Sequence, residues 1–129
     1  MRLMVVAALG GQLAQAAKHA ERCGADVVYA DGVAEAINAL STGNRADVVL
    51  IDAQLAITDL EKALKNDPHS LPLIACGPSV AAGIARRAIH AGAREYLPLP
   101  TGVDDVAALI AALASDDRAI LRHGTSSIH

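Results

Sequence analysis

The chain of 129 residues contains no tryptophan and no phenylalanine, and Tyr29 and Tyr96 are its whole aromatic complement. That absence removes the usual stacking platforms for a flavin and leaves an interior built from Ala, Val, Leu and Ile. Charged residues are also few, at 19% of the chain, with a net charge of -3. Without clustered Lys and Arg there is no electrostatic footprint for nucleic acid or an anionic membrane surface. Cysteine is scarce too. Cys23 and Cys76 have neither CxxC nor Cys/His spacing, and both read as reduced structural thiols. The five histidines are scattered, which speaks against a metal site. No apolar run reaches the length of a membrane span, and the one after Met1-Arg2 is too short for a secretory signal, so a cytoplasmic protein is expected.

What is present is a regular alternation of strand-length apolar runs with helix-length segments of helical periodicity, the order of a parallel sheet. Strands are expected at Arg2 to Ala8, Asp26 to Ala30, Ala46 to Ile51, Leu71 to Cys76 and Glu95 to Leu97, the last closed by Pro98-Leu99-Pro100. The first helix, after Gly10-Gly11, places Leu13, Ala16, Ala17 and Ala20 on one face. The second repeats Val33, Ala36, Ile37 and Leu40 at i, i+3, i+4 and i+7. A third is expected from Thr58 to Lys65, with Thr58 as cap and Glu61 completing a capping box. The fourth runs through Arg86, Arg87 and His90 to Gly92, and the fifth begins at Asp104-Asp105, carboxylates suited to a positive helix start. Five β/α units in this length imply a flavodoxin-like, doubly wound sheet of order 2-1-3-4-5 with helices on both faces. Residues 1–115 form the expected domain. Residues 116–129 read as a polar tail or the start of a linker to an output domain.

In such a sheet, functional groups collect at the carboxyl ends of the strands. Asp52 ends the third strand, while the first runs into Ala7-Ala8, with no carboxylate. Together with Asp47, Leu71-Pro72-Leu73-Ile74, Gly92-Ala93 and Tyr96-Leu97-Pro98, this pattern resembles the receiver domains of bacterial response regulators, from Met1 to about Ala114. The segments Gly11-Gln12-Leu13, Ala75-Cys76-Gly77 and Ala91-Gly92-Ala93-Arg94-Glu95 are closest to the FlbD-type σ54-dependent flagellar regulators.

The resemblance implies the CheY-like fold and makes Asp52 equivalent to the phosphoacceptor of receivers. It also implies an acidic pair that binds Mg²⁺, a Thr or Ser ending strand four, and a Lys between the strand-five prolines. Those positions read Ala7 and Ala8, Gly77, and Leu99. Mg²⁺ asks for several hard oxygens in near-octahedral geometry, and phosphoryl transfer depends on that metal and on cationic groups. The expectation is therefore a domain with weak or absent Mg²⁺ binding, no cofactor and no enzymatic activity, regulating transcription through protein contacts. The resemblance places the interaction face at Ile84, Arg87, His90, Tyr96 and the last helix. It implies a partner like the flagellar assembly-sensing protein FliX, and the same face admits a homodimer.

Plainer readings stand beside this one. Asp52 could accept hydrogen bonds from loop amides at the strand end, Gly10-Gly11 could be an ordinary strand-to-helix turn, and Arg86-Arg87 with Arg94 could be a solvated surface. Tyr96 matches the switch aromatic of receivers but also suits half-buried packing. Two other functional classes remain: a phosphorylatable switch at Asp52, and a small-ligand module with a pocket near Gly10, Gly32, Gly77 and Pro98.

Overall fold

A computed structural model describes residues 2–8, 11–43, 45–65, 71–78, 82–100 and 102–115. Within them five strands and five helices alternate: β1 (Arg2–Val6), α1 (Gln12–Arg22), β2 (Asp26–Ala30), α2 (Val33–Ser41), β3 (Val48–Asp52), α3 (Ile57–Lys65), β4 (Leu73–Pro78), α4 (Ala82–His90), β5 (Glu95–Leu99) and α5 (Val103–Ser115). All pairings are parallel and the order is β2-β1-β3-β4-β5. This is the flavodoxin-like topology expected from the β/α alternation. The tail 116–129 lies outside the described residues, as do Gly10 and Ser79. No described helix is long and apolar enough to cross a membrane.

The strands read as unbroken apolar runs because both faces of the sheet are covered. Successive side chains point to opposite faces, and the burial divides accordingly. Leu3, Val5, Leu50, Ile74, Cys76 and Leu97 pack against Leu13, Ala16, Ala17 and Ala20 of α1 and Val106, Ala107 and Ile110 of α5. On the other side, Met4, Val6, Val49, Ile51, Leu73 and Ala75 meet Ala36 of α2, Ile57, Leu60 and Leu64 of α3, and Ala88 of α4. With alanines filling its inner face, α1 comes close to both the sheet and α5.

Four boundaries depart from expectation for local reasons. β5 runs through Pro98 to Leu99 instead of closing at Leu97. Proline has no N–H for a ladder bond, but β5 is an edge strand, where one side of the backbone has no neighbour to receive it. β3 and β4 begin at Val48 and Leu73, two residues later than the apolar runs do, because Asp47 and Pro72 are engaged at the strand mouths. The Asp47 N–H donates to the Arg2 carbonyl, its carboxylate accepts from the Arg2 N–H at 2.8 Å, and the Pro72 carbonyl accepts from Val49. The capping box at Thr58 is not formed: α3 starts at Ile57, so Thr58 is already inside its first turn. Glu61 instead lies 3.7 Å from Lys65 and runs over Gly92, whose φ of 119° and lack of a Cβ leave room for it.

The tight fit of α1 makes Ala17 intolerant of bulk. Ala17→Leu should lower the free energy of unfolding by about 1–3 kcal/mol, whereas Leu at the exposed α2 position Ala34 should change it by less than about 0.5 kcal/mol; urea denaturation of both variants measures the difference.

Candidate functional site

The carboxyl end of the sheet is assembled from the ends of β1, β3, β4 and β5. Asp52 is the last residue of β3, in register with Cys76 of β4, and its side chain is half-buried. Oδ1 of Asp52 accepts a hydrogen bond from the Gln54 N–H at 2.9 Å, and the Asp52 carbonyl accepts from the Leu55 N–H at 3.0 Å. The carboxylate therefore holds the turn that carries the chain from β3 toward α3, the amide-binding role expected of a strand-end Asp.

Around it the other strand ends contribute apolar groups. Ala7 is buried in the α1/α5 core, and Ala8 is exposed beyond β1. Leu99, at the end of β5, is half-buried and packs into the same α1/α5 core. Gln12 Nε2 donates to the Pro100 carbonyl at 3.2 Å and ties the start of α1 to the end of β5.

The tightest packing at this end is over Gly77. Tyr96 sits beside Ala75 in the ladder, on the α2/α3/α4 side of the sheet, and its ring reaches along β4 so that the hydroxyl donates to the Pro78 carbonyl at 2.8 Å. A Cβ at position 77 would run into the Tyr96 hydroxyl, with Cζ of the ring at 3.2 Å and the Ala53 Cβ at 3.4 Å. Glycine at 77 and the inward tyrosine thus depend on one another. No motif rule flags that pairing, since the two residues are nineteen apart in the chain and meet only through the β4–β5 register.

Two acids in this region titrate high. Burial is the main cause for Cys76, with the negative charge of Asp52 second, and both push the thiol well above its ordinary 9.0. The Cys76 sulfur lies 3.9 Å from the Ile74 carbonyl, within the apolar α1/α5 core. Tyr96 is raised above 10.0 by burial first, then by Cys76 and Asp52. The other tyrosine, Tyr29, is raised to about 12 by burial and by Glu21, whose carboxylate accepts from its hydroxyl at 3.5 Å.

The residues here do not fit a Mg²⁺ ion. The cation needs several hard oxygens, and the ends of β1, β3, β4 and β5 provide one carboxylate, Asp52, already half-committed to the Gln54 amide. Among the described residues no three His, Cys, Asp or Glu side chains converge.

Ile84 and Arg87 line a cleft between α4 and the β3–α3 turn, His90 is exposed at the end of α4, and Tyr96 turns inward over Gly77. Arg86, Arg87 and Arg94 are all exposed.

No protein-family model matches the chain. It is 39% identical over 118 residues, 92% of its length, to the transcriptional regulatory protein FlbD of Caulobacter vibrioides. The chain spans about a quarter of that relative, 26%. Among solved structures it is similar to the receiver domain of NtrX from Brucella abortus, with TM-score 0.64 and 21% identity, covering 87% of this chain and 96% of that one. The Francisella response regulator 1452 receiver domain superposes with TM-score 0.63 at 20% identity, covering 88% and 96%.

Two outcomes follow from the packing around Gly77 and Cys76. In Gly77→Ala the phenol should leave the Pro78 carbonyl and turn toward solvent; spectrophotometric titration should then show the Tyr96 pKa falling back toward 10.0 while that of Tyr29 stays at about 12. Because Cys76 and Tyr96 hold their protons more tightly folded than unfolded, the stability they confer is complete below about pH 9 and lost as pH rises beyond it. The urea midpoint should fall on the alkaline side of that value, and less steeply in Cys76→Ala.

Proposed function

Taking as premise that this chain is a receiver domain of the response-regulator type, similar in sequence to a segment of FlbD, we propose that it regulates transcription through contact with another protein and not through phosphorylation of Asp52. The observation that carries this reading is the occupation of the strand-four position by the Tyr96 hydroxyl, which contacts the space where a side chain at Gly77 would stand.

The chemistry supports it from each side. Transfer of a phosphoryl group to a carboxylate depends on a divalent metal to neutralise the developing charge and on hydroxyl and cationic groups to hold it. By the resemblance to receivers, Ala7 and Ala8 stand where the metal-binding acids would be, Gly77 where the hydroxyl would be, and Leu99 where the cation would be. Leu99 faces the α1/α5 core, so it offers the site neither charge nor a hydrogen bond. With none of these groups, Asp52 keeps the turn in place and the domain acts as a binding module within a FlbD-like, σ54-dependent flagellar regulator. Its partner is a protein of the FliX kind, and the domain catalyses no reaction of its own.

The test follows backbone amide shifts of the full chain during titration with millimolar Mg²⁺ and then beryllofluoride, which mimics an aspartyl phosphate. Resonances of Asp52, Gly77 and Tyr96 should not move. Saturable shifts spreading from Asp52 to Tyr96 would restore a phosphorylation switch and overturn the reading.

A further inference from the structure

A cleft of about 490 Å³ that the chemistry of Asp52 does not use opens between the β3–α3 turn and α4. The aliphatic side chains of Leu55, Ile57 and Ile84 line it together with the polar ones of Gln54, Thr58 and Arg87. That volume lies within the range of natural ligand and side-chain pockets. Leu55 and Ile84 are only half-buried, so the cleft exposes apolar surface that the fold itself leaves uncovered.

The charge carried by the lining residues themselves is that of Arg87, with the exposed Asp59 next along α3 from Thr58. None of the lining residues is acidic, and Arg87 has no carboxylate partner among the described residues. Arg86, also exposed, extends the positive character along α4, which has no acidic residue. A cleft that joins aliphatic side chains to an arginine without a carboxylate partner suits an aliphatic side chain that has a carboxylate beside it.

The described residues of a second copy of the chain make a poor occupant. Among the described residues the exposed large hydrophobic is Ile89, 46% accessible, and it stands on α4 with Arg86, Arg87 and His90. Inserting it into the cleft of another copy would set arginine against arginine. The exposed acids of α5, Asp104 and Asp105, have only half-buried Val103 and buried Val106 beside them, so they carry no free aliphatic side chain to insert.

On the reading that this domain acts by protein contact, we infer that the cleft between the β3–α3 turn and α4 docks a segment of a different protein, one that inserts an aliphatic side chain against Leu55 and Ile84 and places an adjacent Asp or Glu on Arg87.

The experiment pans a displayed library of short random peptides on the full chain, with the enriched sequences synthesised and titrated against it. Enriched peptides should pair an aliphatic residue with Asp or Glu and shift amides from Leu55 to Thr58 and from Ile84 to Ala91. Affinity should drop roughly tenfold or more in Arg87→Glu, which reverses the rim charge, and in Thr58→Trp, which obstructs the entrance from an exposed position. Enriched peptides that lack carboxylates, that bind both variants as well as the unmodified chain, or that shift other surfaces would overturn the assignment, as would the absence of any enrichment. The two proposals separate cleanly. Peptide docking as described together with beryllofluoride shifts at Asp52 would sink phosphorylation independence and leave the cleft standing; no response to either probe would do the reverse.

Discussion

Everything in this fold depends on the burial of β1 and β3 on both faces. Leu3, Met4, Val5 and Val6 of β1 and Val49, Leu50 and Ile51 of β3 are almost completely removed from solvent. Two central strands without a wet face need a helical layer on each side, and the period-two alternation distributes them without conflict: odd positions of β1 to α1 and α5, even ones to α2, α3 and α4. The chain has no Phe or Trp to fill wide gaps, so its layers must approach closely. Alanine provides that approach in α1, where Ala14, Ala16, Ala17 and Ala20 are all buried. A core of small aliphatic groups is uniform in chemistry and unforgiving in volume.

The same economy of side chains reaches the carboxyl ends of the strands. Each position there has been settled in favour of packing: Ala7 and Leu99 belong to the α1/α5 core, and Gly77 yields its space to the Tyr96 ring. Asp52 is the polar residue left among them, and its hydrogen bond to the Gln54 amide gives it a structural task that needs no other charge. Polar groups at this end are satisfied locally and in pairs, Asp52 with the turn and Tyr96 with the Pro78 carbonyl. No buried side-chain nitrogen or oxygen among the described residues lacks a partner. Beside these satisfied groups α4 keeps exposed charge and an open cleft.

Much of this was legible in the residues. The alternation of apolar runs with 3.6-period segments specified five β/α units, and the right-handed crossover rule then leaves few orders for a parallel sheet of this size. β2 and the buried state of Cys76 follow from composition and position alone. The strand-end location of Asp52 and the alanines after β1 were equally plain, because a residue's place along a strand is a matter of counting. Pro98 and Thr58 misled for a shared reason. Local rules treat Pro as a strand stop and Thr as a helix cap, yet an edge position excuses the missing N–H of Pro98, and the turn held by Asp52 starts α3 one residue before Thr58.

The sequence by itself determined which residues are apolar, at what period, and where the chain must turn, and these suffice for the fold because burial is proportional to apolar area and indifferent to partner identity. Only the tertiary structure decided which side chains share a space. The β4–β5 register brings Tyr96 onto Gly77, the layering turns Leu99 into the core, and the packing of α4 against the β3–α3 turn leaves a cleft between Leu55 and Ile84. Those contacts are set by distances of a few tenths of an ångström between residues far apart in the chain, and close packing of that kind has no one-dimensional signature.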